Sequence, residues 1–186
     1  MILYIKNMVC NRCIAAVRSE LAELGHQVLD VTLGEAHIKD EPNTFQLNKI
    51  SEALKKMGFE LIADRKGRII EQIKNEIVKL VHHSGDILTT TLSSFLVDKL
   101  HYDYTYLSNL FSEVEDTTIE KYYITQRIEK VKELLVYDEL SLAQIADHLG
   151  YSSAAYLSGQ FKKITGFTPT HYKSIKDNKR RSLDEL

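Results

Sequence analysis

Cysteine is scarce in this sequence. The two present, Cys10 and Cys13, cannot build a disulfide framework, and a close pair in a reducing compartment more often serves metal or redox chemistry. Long apolar runs are missing as well. The longest near the start is Met1 to Ile5, far short of a signal-peptide core or a membrane span, so the expected address is cytoplasmic, with no membrane partner. No sign of charge dominates. The net charge of −2 gives no general argument for nucleic acid. Gly-rich phosphate loops, catalytic triads and paired acids are absent too, and the chain is not expected to be an enzyme. What remains is an ordinary globular composition, 44% hydrophobic and 27% charged over 186 residues, enough for one or two domains.

The first third reads as a β-α-β-β-α-β succession. Residues 2–6 suit a short strand, and Ile14, Val17, Leu21 and Leu24 recur at helical spacing before a stop at Gly25. Val28, Leu29, Val31 and Leu33 suggest a second strand, Gly34 a turn, and residues 36–39 a third strand. Leu47, Ile50, Leu54 and Met57 mark another helix closed by Gly58, and residues 59–63 a last strand. That order predicts a ferredoxin-like α+β domain over residues 1–64, bounded by the polar, turn-prone residues 64–67.

Residues 65–186 predict an all-α domain. Ile69, Ile70, Ile73, Ile77 and Leu80 line one helix face, ending near the polar stretch 82–86. An internal repeat then appears when the chain is slid by about 50 residues. Residues 95–100 match residues 144–149 at an offset of 49; Tyr106, Leu107, Ser108, Phe111, Val114 and Tyr122 match Tyr156, Leu157, Ser158, Phe161, Ile164 and Tyr172 at an offset of 50. Each unit reads as helix, tight turn, helix. A long helix through Ile124, Ile128, Val131, Leu134 and Leu135 connects them, with Glu129, Lys130, Lys132 and Glu133 expected on its solvated face.

A recognition helix buries one stripe and leaves the other free for a major groove about 12 Å wide. The expected buried stripes are Leu107, Leu110, Phe111 and Val114 in the first unit, and Leu157, Phe161 and Ile164 in the second. Tyr104, Thr105, Ser108 and Asn109 then face outward in the first. Ser153, Ala154, Ala155, Ser158 and Gly159 do so in the second, with Lys162 and Lys163 placed for phosphates.

The run from Ser141 through Leu149-Gly150-Tyr151-Ser152, followed by Phe161-Lys162-Lys163 and the closing Gly166-Phe167-Thr168-Pro169, resembles the AraC/XylS signature. The resemblance spans about residues 69–176. It implies a DNA-binding module whose two recognition helices enter successive major-groove turns, with double-stranded promoter DNA as partner and RNA polymerase as a further one. Two departures matter. The family's usual Arg positions hold Asn109 and Gly159, and residues 103–120 contain five acids (Asp103, Glu113, Glu115, Asp116, Glu120) and no Lys or Arg, which repels phosphate. Residues 151–181 hold seven basic residues, Lys162, Lys163, Lys173, Lys176, Lys179, Arg180 and Arg181, against Asp177 alone, so the footprint should centre on the second unit.

Between the first strand and helix lies Met8-Val9-Cys10-Asn11-Arg12-Cys13. Thiols at a helix N-terminus have lowered pKa, and Arg12 adds to the effect. Two thiolates without a further obvious ligand suit a soft, low-coordinate metal such as Cu(I) better than four-coordinate zinc. A dithiol-disulfide switch and an inert pair are the other readings of the same residues. With the element order, this motif resembles the heavy-metal-associated domain of copper chaperones and metal-pumping ATPases, which implies Cu(I) or another thiophilic metal at Cys10 and Cys13 and a metal donor as partner. Asn7 stands where that family usually has Gly. The combined expectation is a metal- or thiol-responsive transcription regulator. The competing expectation is a metal carrier or adaptor whose helical domain binds protein rather than DNA.

Overall fold

The computed structural model describes residues 1–84 and 88–174, in two compact units, Met1–Asn75 and Glu76–Leu186. The N-terminal unit runs β1 (Ile2–Lys6), α1 (Asn11–Glu23), β2 (Val28–Thr32), β3 (Glu35–Ile38), α2 (Thr44–Lys56), β4 (Glu60–Ile62) and the greater part of α3 (Arg65–Val78). Its four strands form one antiparallel sheet in the order β2-β3-β1-β4. Alternation decides which face of β1 is covered: Leu3 and Ile5 are buried with Val17 and Leu21 of α1 and Ile50 and Leu54 of α2, while Ile2 is exposed. Gly34 turns β2 into β3 at φ 85°, a left-handed conformation glycine adopts without a Cβ penalty.

The polar residues 64–67 do not form a linker. Asp64 accepts the Gly67 N–H (2.7 Å) and starts α3, whose first turns pack on the N-terminal unit. The Arg68 guanidinium lies 4.8 Å from the Tyr4 ring centroid, Gln72 donates to Glu35 (3.1 Å), and the Asn75 amide fills the space a Cβ at Gly34 would occupy. The compact units therefore part at residue 75 rather than at 64, because α3 has polar partners on the sheet and its turns.

The C-terminal unit begins with the last residues of α3 and a π-helical turn, Lys79–His83. It continues through α4 (Leu92–Leu100), α5 (Tyr104–Glu115), α6 (Ile119–Tyr137), α7 (Leu142–His148), α8 (Ala154–Thr165) and α9 (Pro169–Ser174). Helix α6 is the axle: it touches the π turn and α5, α7, α8 and α9. Its charged face is consequently not a solvated one. Glu129 and Lys132 are buried and paired at 2.7 Å, and the Lys130–Glu133 pair (3.3 Å) is largely covered. The residues matched at an offset of 50 are matched in space, since Phe111 meets Tyr122 at 5.7 Å between centroids and Phe161 meets Tyr172 at 5.4 Å. No helix among the described residues is long and apolar enough to cross a membrane.

Candidate nucleic-acid interface and cysteine loop

In the second helix-turn-helix unit, Ser141 and Gln144 form a reciprocal capping box that starts α7. Gly150 turns the chain at φ 67°, and the Ser153 Oγ accepts the Tyr156 N–H (3.1 Å) to start α8. Arg127 of α6 fastens this turn from beneath. It donates to the Leu149 carbonyl (2.6 Å), and its guanidinium lies 3.7 Å from the Tyr151 ring centroid. Burial pushes the Tyr151 hydroxyl up to about 12, against the opposing effect of the Arg127 charge.

Helix α8 buries Leu157 and Phe161 and exposes Ala155, Gly159, Lys162 and Lys163, with Ser158 half-buried between. Lys162 and Lys163 form no ion pair among the described residues, which leaves both ammoniums available to phosphate. Two expectations need correction. Ala154 packs against the core cluster instead of facing out, and Ile164 is exposed, as is Val114 in the first unit. The reason is length: α8 and α5 have 12 residues each, α7 and α4 only 7 and 9, so the last turn of each recognition helix overhangs its partner. The basic residues Lys176, Lys179, Arg180 and Arg181 lie outside the described residues.

Gly159 sits mid-helix with nothing within 4 Å of where a Cβ would stand. Gly159→Ala is therefore expected to raise the stability of the C-terminal unit by about 0.5–1 kcal/mol in urea denaturation. A loss would show the position to be packed after all.

The first unit keeps the geometry with different chemistry. His101 takes the left-handed turn conformation (φ 57°) that Gly150 takes in the second. Asp103 caps α5, accepting the Thr105 (2.8 Å) and Tyr106 (3.2 Å) N–H groups. Thr105 and Asn109 are exposed and Ser108 half-buried. Tyr104 is not a free outward group, because its hydroxyl donates to Glu120; burial and that carboxylate raise the hydroxyl's pKa. Asp103 and Glu120 are thus engaged inside the unit, and residues 103–120 contain no Lys or Arg.

Tyr106 and Tyr156, one in the first turn of each recognition helix, are 44% and 57% exposed. Each is held in tilted ring contact with a turn residue, Tyr102 at 5.7 Å and Tyr151 at 6.2 Å. Their shared offset of 50 was the available signal.

In the cysteine loop, Cys10 caps α1 in an extended conformation and Cys13 lies in the first turn, with both thiols half-buried and 3.4 Å apart. Burial raises both, but for Cys10 the Cys13 N–H and thiol, the Arg12 N–H and the Arg12 charge prevail and hold it below its ordinary value. At Cys13 burial prevails and the thiol is raised. The loop is anchored by Asn7, which adopts a left-handed φ of 71°. Asn7 donates its N–H to Glu71 (3.2 Å) and its side-chain amide to the Gly58 carbonyl (3.0 Å). Met8 is wholly buried. Among the described residues no group of three or more His, Cys, Asp or Glu is placed to share a metal.

Residues 96–175 match the helix-turn-helix domain family. The chain is 26% identical over 106 residues to the uncharacterized HTH-type transcriptional regulator YtdP of Bacillus subtilis, covering 57% of this chain and 14% of that protein. It is 27% identical over 106 residues to the Msm operon regulatory protein of Streptococcus mutans, covering 56% of this chain and 37% of that protein. The chain thus spans well under half the length of either relative, and both are named as regulators. Among solved structures, it resembles the C-terminal domain of AraT, a response regulator from Geobacillus stearothermophilus, with a TM-score of 0.52 and 27% identity, over 61% of this chain and 89% of that one. The C-terminal unit thus carries a helix-turn-helix domain similar in fold to the AraT C-terminal domain.

Proposed function

We infer that this protein is a cytoplasmic transcription regulator whose second helix-turn-helix unit supplies most of the contact to promoter DNA and whose cysteine loop senses a soft metal. The observation that carries the first half is the outer face of α8. Gly159, with open space where a Cβ would stand, is flanked by exposed Tyr156, Lys162 and Lys163, while Leu157 and Phe161 hold the opposite face. Lysines neutralise phosphates without reading sequence, and the amphipathic tyrosine and the bare backbone at Gly159 meet base edges. Thr105, Ser108, Asn109, Ser153, Ala155 and Ser158 complete the surface. RNA polymerase is the natural further partner of a promoter-bound regulator.

The β-α-β-β-α-β order with strand order β2-β3-β1-β4 supports a ferredoxin-like, heavy-metal-associated reading of the N-terminal unit. Two thiols 3.4 Å apart at a helix N-terminus, with no third ligand gathered among the described residues, fit a low-coordinate thiophilic ion such as Cu(I), handed over by a metal donor. Cys10 and Cys13 would hold it, and Asn7 positions their loop.

Band-shift titration of the full chain on its own upstream DNA tests both halves. Binding should weaken steeply with salt, and a Lys162→Ala, Lys163→Ala variant should lower the log–log salt slope by roughly 2, at about 0.9 for each phosphate that a lysine neutralises. Cu(I) should change wild-type affinity by about 5-fold or more and leave a Cys10→Ser, Cys13→Ser variant unmoved. Absence of DNA binding under every metal and redox condition favours an adaptor that docks on protein. Binding indifferent to Cu(I) removes the sensing half alone.

A further inference from the structure

A concave site lies in the C-terminal unit, bordered by no described residue of α5 or α8. It is a cavity of about 340 Å³ bordered by Glu76, Lys79 and Leu80, by Ser84, Leu88, Thr89 and Thr90, and by Phe95 and Lys99 of α4. We propose that this cavity binds a small organic monoanion, a carboxylate with a single aromatic ring or short branched chain as its body. This assignment does not depend on DNA binding.

The lining and the volume point to the ligand class. The wall is apolar where a body would lie: Leu80, Leu88 and Phe95 are each half-buried, so part of each faces the opening. An aromatic side chain left partly open is suited to a flat apolar partner. The border carries two ammoniums and one carboxylate. Glu76 is tied to Lys79 at 2.8 Å, whereas Lys99 forms no ion pair among the described residues and lies 6.0 Å from the Phe95 ring centroid. The site therefore offers one unneutralised positive charge beside an aromatic face, which suits one carboxylate and disfavours a polyphosphate, whose further charges would meet Glu76. Thr89 and Thr90 add hydroxyl groups at the mouth, while the Ser84 hydroxyl already donates to the Leu80 carbonyl (2.8 Å). The volume falls at the small end of the roughly 300–1,000 Å³ found for ligand pockets, with apolar walls and few polar groups. Because Phe95 and Lys99 belong to the first helix of the first helix-turn-helix unit, an occupant bridges that helix to the π-helical turn that precedes it.

Calorimetric titration of the full chain with phenylacetate, phenylacetamide and ATP provides the test. Phenylacetate should bind at one site. The uncharged amide and a Lys99→Gln variant should each weaken that binding roughly tenfold or more, the worth of a charge-assisted hydrogen bond. ATP should not compete. Lys99 is exposed, so Lys99→Gln should melt at the wild-type temperature. A Phe95→Leu variant, which keeps the wall apolar but removes the ring, should weaken phenylacetate more than isovalerate. No heat with phenylacetate up to about 10 mM, a weak limit for so small a ligand, overturns the proposal. Equal binding of the amide, or an unchanged affinity in Lys99→Gln, overturns it as well.

Discussion

Phe161→Ala should lower the stability of the C-terminal unit by about 3–5 kcal/mol, measured by urea denaturation followed by far-ultraviolet circular dichroism. Phe161 is fully buried where four helices converge, in one cluster with Ile128, Val131 and Leu135 of α6, Ile145 and Ala146 of α7, Leu157 of its own helix and Tyr172 of α9. Truncation removes the ring's transfer energy and leaves a cavity that these neighbours, drawn from separate helices, can only partly close. The edge-on contact with Tyr172 (5.4 Å, 76° between planes) adds about 0.5–1.5 kcal/mol beyond area alone. Against a typical domain stability of about 5–15 kcal/mol, the variant sits near the edge of folding, and α8 loses the anchor that holds its outer face in register. Phe161→Leu keeps most of the volume and should lose far less. If Phe161→Ala instead costs under about 1 kcal/mol, the second unit is not organised around this side chain. Phe111, fully buried and paired with Tyr122, should behave the same way in the first unit.

That both phenylalanines could be picked out beforehand shows where this sequence is legible. A duplicated unit repeats its buried positions at a fixed offset, and the offset of 50 matched residues that meet equivalent partners in space. The strands, helices and turn glycines of the N-terminal unit were readable for a similar reason, since periods of 2 and 3.6 change over at Gly25, Gly34 and Gly58, each at positive φ. Legibility failed where burial comes from more than one side. Helix α6 is covered by four other helices and the π turn, so its polar positions Gln126, Glu129 and Lys132 are as buried as its apolar ones, and the stripe that marks an outer face is lost. It failed again at α3, whose attachment to the N-terminal sheet runs through Arg68, Glu71, Gln72 and Asn75, polar residues that read as solvated on any hydropathy pattern. The cysteine pair was legible as chemistry from its spacing. Its anchoring through Asn7 and Glu71, 64 residues apart, was not.

The C-terminal unit should also lose about 3 kcal/mol of stability as the pH falls from about 6.5 to about 4, through His82 alone. This histidine lies in the π-helical turn against α6, with its ring Nε2 3.0 Å from the Gln126 Oε1, where the neutral Nε2–H tautomer donates. Burial pushes its pKa down to about 4, with the positive charges of Lys130 and His83 acting the same way and the Gln126 hydrogen bond and Glu133 opposing. The sign follows from which state holds the proton. Between about 4 and 6.5 the unfolded chain binds a proton at this position and the folded one does not, so acid favours unfolding through that window and has no further effect by this route below it. Above about 6.5 the imidazole is neutral in both states and the contribution is complete. His82→Gln retains a polar group that can face Gln126 but cannot titrate. Urea denaturation of the wild type and of His82→Gln at pH 7.5, 6, 5 and 4 should give curves that differ by a constant above neutrality and converge or cross below it, the wild type falling faster by about 3 kcal/mol in total. Parallel curves over the whole range would mean that His82 is hydrated well enough to titrate normally, and that the contact between the π turn and α6 opens readily in solution.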